Sequence, residues 1–222
     1  MNGAVVRGAA CALSLLMLAA VVGNSSAGGK KVYKSPQEVF DAVIKAAEKD
    51  DIKTLLGCVT ANSRDQLAGG LVLIAGFMKA FAKFAKEEDK ARLEKLDKVL
   101  EKHGLTEETF KKLEKDDKKV DLNDPEQAKQ AILSLAKLVK DRDGFILEAI
   151  ALMDKKDKKG PFEDLVGANP MLKEVKIDGD AAKGTLVGKK DGTEVSHTLE
   201  FRREGGSWKV EMPQPQKKKN KK

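Results

Sequence analysis

Residues 193–212, TEVSHTLEFRREGGSWKVEM, decide the fold class. Val195, His197, Leu199 and Phe201 alternate with Glu194, Ser196, Thr198, Glu200 and Arg202. A period of two puts the first set on one face of a strand. Glu204-Gly205-Gly206 turns the chain, and Trp208, Val210 and Met212 then alternate with Lys209 and Glu211. Working backward, Gly184 to Lys189 forms another run, closed by Asp191-Gly192, a strong hairpin signal. Before it, Val175 and Ile177 alternate with charges ahead of Asp178-Gly179. The pattern predicts a four-stranded antiparallel meander with one apolar face. Such a sheet cannot leave that face in water, so helices must cover it.

The cover has to come from upstream, where the period is 3.6. Ser35-Pro36-Gln37-Glu38 predicts a helix start, with Ser35 as cap, Pro36 in the first turn and Glu38 completing a capping box. Val39, Phe40, Val43, Ile44 and Ala47 supply its apolar stripe, and Ile52, Leu55 and Leu56 suggest a short second helix. Ser63 to about His103 is expected as one broken helix or two, stopping at His103-Gly104. Its first part is uncharged from Leu67 to Met78, and Phe77, Phe81 and Phe84 share a later face. The stretch Leu67 to Phe84 is expected mainly as core, with a membrane surface or a partner as its other reading. Thr106 to Thr109 opens a further short helix, and Asp124-Pro125-Glu126-Gln127 another, with a break expected at Asp143-Gly144. The class is therefore α+β: N-terminal helices packed on a C-terminal four-stranded antiparallel meander, in a cone-like roll.

At the front, Arg7 precedes an apolar run from Ala9 to Val22 and then Ser25-Ser26-Ala27. That order is a secretory signal, expected to span 1–27 and to be cleaved. The apolar run is shorter than the ~20 residues needed to cross a bilayer, so no transmembrane segment is expected in the mature chain. The expected location is a bacterial periplasm or the extracellular space. Residues 28–34 form a short leader, 35–212 a single α+β domain with a helical insertion at about 63–160, and 213–222 a disordered Lys-rich tail. Beyond the signal one cysteine remains, Cys58, in an apolar context that suits a buried, inert thiol. No intramolecular disulfide can form, so the packed core must carry stability.

The formal charge of +7 is concentrated in the tail, where Lys217, Lys218, Lys219, Lys221 and Lys222 cluster. The body is close to neutral and holds few arginines, six against 36 lysines in the whole chain. Arg is the residue suited to bidentate phosphate contact, so specific nucleic-acid reading is not expected. The tail lysines are candidate contacts for an anionic envelope surface.

The opening Ser35-Pro36-Gln37-Glu38-Val39-Phe40-Asp41-Ala42, with Asp50-Asp51-Ile52-Lys53-Thr54-Leu55, and the closing Gly205-Gly206-Ser207-Trp208-Lys209-Val210 carry a resemblance. In these places the chain resembles the nuclear transport factor 2-like superfamily, in its exported lumazine-binding-like or SnoaL-like style. The resemblance implies a curved sheet wrapped around helices as a cone, often with a pocket. Ser63 to Gly160 holds more helix than that family's core.

Chemical motifs are sparse. His103, His197 and Cys58 are far apart in sequence, and there is no HExxH, CxxC or EF-hand loop, so no metal and no cofactor are expected. No G-x-S-x-G elbow marks a nucleophile, and Gly69-Gly70 and Gly205-Gly206 lack phosphate-loop context. His197 shares the apolar face of its strand, where in a cone-shaped fold an imidazole could act as general base; the blander reading is a core or rim histidine. Trp208 is expected as a core plug rather than a ligand platform. Three functions follow: an exported, non-catalytic domain binding a small ligand or protein partner; a pocket enzyme of isomerase, dehydratase or hydrolase type using His197; or an envelope-surface adaptor acting through the basic tail.

Overall fold

The computed structural model describes residues 31–82, 87–115, 121, 124–152, 168–190 and 192–212. The expected signal 1–27 and tail 213–222 lie outside the described residues. The described chain is α+β, with helices first and a four-stranded antiparallel sheet last, in the order β1-β2-β3-β4. It divides into two compact units. The stretch up to Ser63 and the strands form one, and Arg64–Leu152 forms the other.

In the first unit, α1 (Pro36–Glu48) and α2 (Ile52–Cys58) pack on each other and on β4 (Ser207–Glu211). Ser35 caps α1 as expected, its hydroxyl accepting the Glu38 N–H at 3.1 Å. The Glu38 carboxylate closes the return half of the box one residue early, on the Lys34 N–H at 2.8 Å. The helix ends in a Schellman turn: Asp51 N–H reaches Ala46 O and Asp50 N–H reaches Ala47 O. That turn needs a left-handed residue, and Asp50 fills it at φ 52°. Glycine adopts this conformation without the β-carbon penalty. Asp50→Gly is therefore expected to raise unfolding stability by up to about 1 kcal/mol, the left-handed penalty removed less the extra chain entropy of glycine, read as a higher urea midpoint; a lower midpoint would refute the assignment.

The strands are β1 (Ala168–Asp178), β2 (Ala181–Lys190), β3 (Thr193–Glu204) and β4. Gly179, Gly192, Gly205 and Gly206 all take positive φ at the three turns, as the Asp-Gly and Gly-Gly pairs require. Leu186, Leu199, Phe201, Trp208 and Val210 are buried with Val39, Phe40, Leu55 and Leu56 of the helices. The outermost strand, β1, is broken in register between Ala168 and Met171 and again between Lys173 and Lys176. Asn169 and Glu174 stand at these breaks with φ 57° and 52°. Such bulges bend a strand and disrupt the ladder that an edge would offer another chain.

β4 is buried on both faces and along its outer edge, because the N-terminal segment lies beside it. Trp208 N–H bonds Tyr33 O at 2.9 Å, and Tyr33 N–H bonds the Ser207 hydroxyl at 2.9 Å. Val59 bridges Val210 in parallel, and Thr60 N–H bonds Val210 O at 3.0 Å. Met212 N–H bonds the Ser63 hydroxyl at 2.8 Å, and that hydroxyl meets the Thr60 hydroxyl at 2.7 Å. Asn62 donates to the Glu211 carboxylate at 2.8 Å. These pairs explain why Ser207, Glu211, Thr60 and Ser63 are buried although polar.

The second unit is helical. The stretch from Ser63 to His103 is two helices, α3 (Ala61–Ala80) and α4 (Glu87–Lys102), followed by α5 (Glu107–Lys115), α6 (Pro125–Ala136) and α7 (Arg142–Ala151). Asp124 caps α6, accepting from Glu126 and Gln127 N–H. The break expected at Asp143-Gly144 falls earlier. Asp141 caps α7 by accepting the Gly144 N–H at 3.0 Å, so Asp143 and Gly144 sit in its first turn. Asp143 also pairs with Arg64 at 2.9 Å, and Arg142 with Asp65 at 3.3 Å. Leu67, Ala68, Leu71, Val72 and Ala75 of α3 are buried, as are Leu96 and Leu100 of α4 and Phe145, Ile146 and Ile150 of α7. α4 packs against α7.

Candidate functional site

Of the side chains singled out from the sequence, His197 and Trp208 end in opposite surroundings. The β3 register puts His197 opposite Leu186, on the face that also holds Leu199 and Phe201. Leu199 and Phe201 are buried there, but Val195 is half-buried and His197 is exposed. The reason is the length of β4: its pairing with β3 runs only from Glu200 to Glu204. The strand continues past that cover, so alternation persists while burial does not. Trp208 is 1% exposed, with the Arg203 guanidinium 5.0 Å above its ring. It fills the core, as the bland expectation had it. The tail lysines 217, 218, 219, 221 and 222 lie outside the described residues.

The first unit holds one chemically notable cluster, which the sequence did not single out as a group. The Cys58 thiol, 0% exposed, donates to the Tyr33 hydroxyl at 3.4 Å. The ammonium groups of Lys31 and Lys209 lie 5.6 and 5.7 Å from the Tyr33 ring centre, and Lys209 also reaches the Gly57 carbonyl. Burial pushes the Cys58 thiol up despite the lysines, and burial followed by the Cys58 contact pushes the Tyr33 phenol up as well. Both are therefore protonated at neutral pH, and neither is a ready nucleophile or base. The sign of the linkage follows. Each group titrates at its ordinary value when unfolded and higher when folded, so its contribution is intact below the ordinary thiol range and lost as pH rises beyond it. Unfolding stability is expected to stay level from neutral pH to that range and then fall, by at most about 1.4 kcal/mol per pH unit for each group. Urea melts across alkaline pH measure this, and Cys58→Ala should remove the earlier part of the fall. An unchanged alkaline profile in that variant would contradict the assignment.

The second unit buries a histidine the sequence marked only as a helix stop. His103 is the C-cap of α4, with Gly104 beyond it at φ 88° and Leu105 N–H on Leu100 O at 2.8 Å. It is 3% exposed, and its ring meets Phe145 edge-on at 5.7 Å. Its Nε2 lies 3.5 Å from the Glu148 carboxylate without a hydrogen bond. Lys102 holds that carboxylate at 2.6 Å and, with burial opposing and His103 adding a smaller share, keeps it below the usual carboxylate range. The histidine-glycine pair at a helix end was the only sequence signal for this arrangement.

Two aromatic side chains of the second unit stand out in water. Phe77 and Phe81 are 52% and 63% exposed, the two most solvent-facing aromatic rings among the described residues. They stand four residues apart, and the Phe81 N–H bonds the Phe77 carbonyl at 3.1 Å, so the helical turn carries past Ala80. One face therefore presents both rings. Lys79, between them in sequence, turns away to Asp97 at 2.8 Å and lies 5.7 Å from the Phe110 ring centre. The stretch Leu67 to Phe84 thus divides as far as it is described: Leu67 to Ala75 contributes to the core and Phe77 and Phe81 stand exposed, while Phe84 lies outside the described residues. No helix among the described residues is long and apolar enough to cross a membrane, and among them no three His, Cys, Asp or Glu side chains gather as a metal site. The chain matches no protein-family model, no curated protein and no solved structure.

Proposed function

We propose that this chain is an exported α+β domain that acts by binding a partner rather than by catalysis, and that Phe77 and Phe81 are the contact. The observation that carries the reading is the pair of rings held more than half in water on one face of the last turn of α3 and its continuation to Phe81. Two aromatic rings side by side in water form a small apolar patch, and aromatic side chains are among those that anchor interfaces. The surroundings of the titratable groups support it: Cys58 and Tyr33 are kept protonated by burial, and Glu148 is engaged by Lys102. The resemblance to the nuclear transport factor 2-like superfamily belongs to the same proposal, supported by the helices-then-meander order.

Two measurements test the reading. Mass analysis of the protein recovered outside the host cytoplasm should find the chain beginning at Gly28. A substitution scan scored by a host phenotype should find Phe77 and Phe81 sensitive and His197 tolerant. Loss confined to His197 and a few polar neighbours would turn the reading to the pocket-enzyme alternative.

A further inference from the structure

Independently of the partner-binding reading, we propose that His103 and Glu148 form a proton-operated clasp between the end of α4 and α7, closing as pH falls through the histidine range. The ring is 3% exposed, and its Nε2 has no hydrogen-bond partner although the Glu148 carboxylate stands 3.5 Å away. A buried ring nitrogen without a partner is a standing cost. Protonation answers it. Whichever nitrogen held the first proton, the imidazolium carries a hydrogen on Nε2 and a full charge. Water supplies the proton, and Nε2–H then donates to Glu148 as an ion pair. Glu148 is ready as the acceptor. The Lys102 contact, against burial, keeps it below the usual carboxylate range, so it is ionised wherever histidine titrates. Lys102 is itself largely exposed and can turn to water when the ring closes.

Burial disfavours a charged ring, and two acids and a helix end oppose it. Asp141 is the second acid: a β-carbon on Gly144 would run into its carboxylate and stand 3.2 Å from His103 Cε1. The ring also sits at the C-cap of α4, where the last carbonyls favour a cation. Against the charge stand Lys102, Lys140 and the amide end of α7. The Lys140 N–H bonds the His103 carbonyl at 3.1 Å, and its stem lies along Gly104. The other charges of α7 are engaged elsewhere, Arg142 with Asp65 and Asp143 with Arg64. α5 reaches this corner through the Thr109 hydroxyl on the Gly104 carbonyl, an uncharged contact. What the clasp controls is the docking of α4. Among the described side chains of that helix only Leu96 and Leu100 are buried, and a helix held by so few apolar contacts opens locally at low cost.

The test is urea unfolding and amide hydrogen exchange of the full chain, beside His103→Gln and Glu148→Gln, at about one pH unit either side of histidine's ordinary ~6.5. The ion pair exists only with the ring charged, so its contribution is present below the histidine range and lost as pH rises through it. Relative to His103→Gln, the parent's folded state should be favoured about tenfold more at the lower pH, the worth of a charge-assisted hydrogen bond. Exchange in the last turn of α4, corrected for the intrinsic effect of pH, should slow by a similar factor. In Glu148→Gln both gains should vanish. Should these variants fail to fold, ring spectra of the parent decide. The chain has two histidines, and His197→Gln identifies the signal of His103. That signal should titrate in the folded protein, with the Glu148 carboxylate signal moving in step. The same pH dependence in the parent and in His103→Gln overturns the proposal. So does faster exchange at the lower pH, the mark of a charged ring expelled from its site, or a ring that stays neutral until the protein unfolds.

Discussion

Gly69→Ala should destabilise the protein by about 3 kcal/mol or more, at the upper end of overpacking costs, while Gly57→Ala should stabilise it. Both glycines lie in helices, where alanine is intrinsically favoured by about 1 kcal/mol. Their surroundings decide the sign. A β-carbon at Gly69 would overlap the carbonyl oxygen of Ile132 and stand 2.7 Å from its carbonyl carbon. That obstacle is backbone of α6 and cannot swing aside like a side-chain end, so α3 and α6 would have to separate. A β-carbon at Gly57 meets nothing within 4 Å, and α2 keeps the propensity gain of about 0.5–1 kcal/mol. Urea unfolding of the two variants beside the parent measures both effects. Equal shifts in one direction would mean that α3 and α6 do not approach at Gly69.

Trp208→Ala is the second large effect, at about 3–5 kcal/mol. The indole is among the largest fully buried side chains. Its loss leaves a void between the sheet and its helices and removes the ring under Arg203. The backbone bond from Trp208 to Tyr33 remains available, so the deficit measured is that of packing. Trp208→Phe should recover part of it. As the chain has one tryptophan, parent fluorescence reports the same site directly: blue-shifted when folded, red-shifted on unfolding. A variant within about 1 kcal/mol of the parent would show that the indole is not in the core, since such truncations cost several times that.

The sheet was legible in the sequence because its signals are local. Alternation in Leu199-Glu200-Phe201 and the Asp-Gly and Gly-Gly pairs need only neighbours to act. The helix starts at Ser35 and Asp124 were legible for the same reason, since a cap is made within three or four residues. Features set by distant residues were not. The position of His197 depends on where β4 ends, which its own alternation does not encode. The bulges of β1 at Asn169 and Glu174 break the period that would have revealed the strand's full length. Asp141 outcompeted the apparent break at Asp143-Gly144 because its carboxylate finds the Gly144 N–H. The Tyr33–Cys58 contact joins residues 25 apart in sequence, and nothing in either stretch announces it. The rings of Phe77 and Phe81 were visible as a stripe, but which end of α3 faced water was decided by the burial of Leu67 to Ala75.

The seam that joins Tyr33, Val59 and Ser63 to the 207–212 ribbon has a consequence for biosynthesis. Partners on either side of it are separated by about a hundred and fifty residues or more, and closing so long a loop is slow. A nascent chain still lacking Trp208 has no groove in which to seat its first helix. Assembly of this part therefore waits until the last ribbon has been made, and truncation just before it should leave the opening helices without a mate.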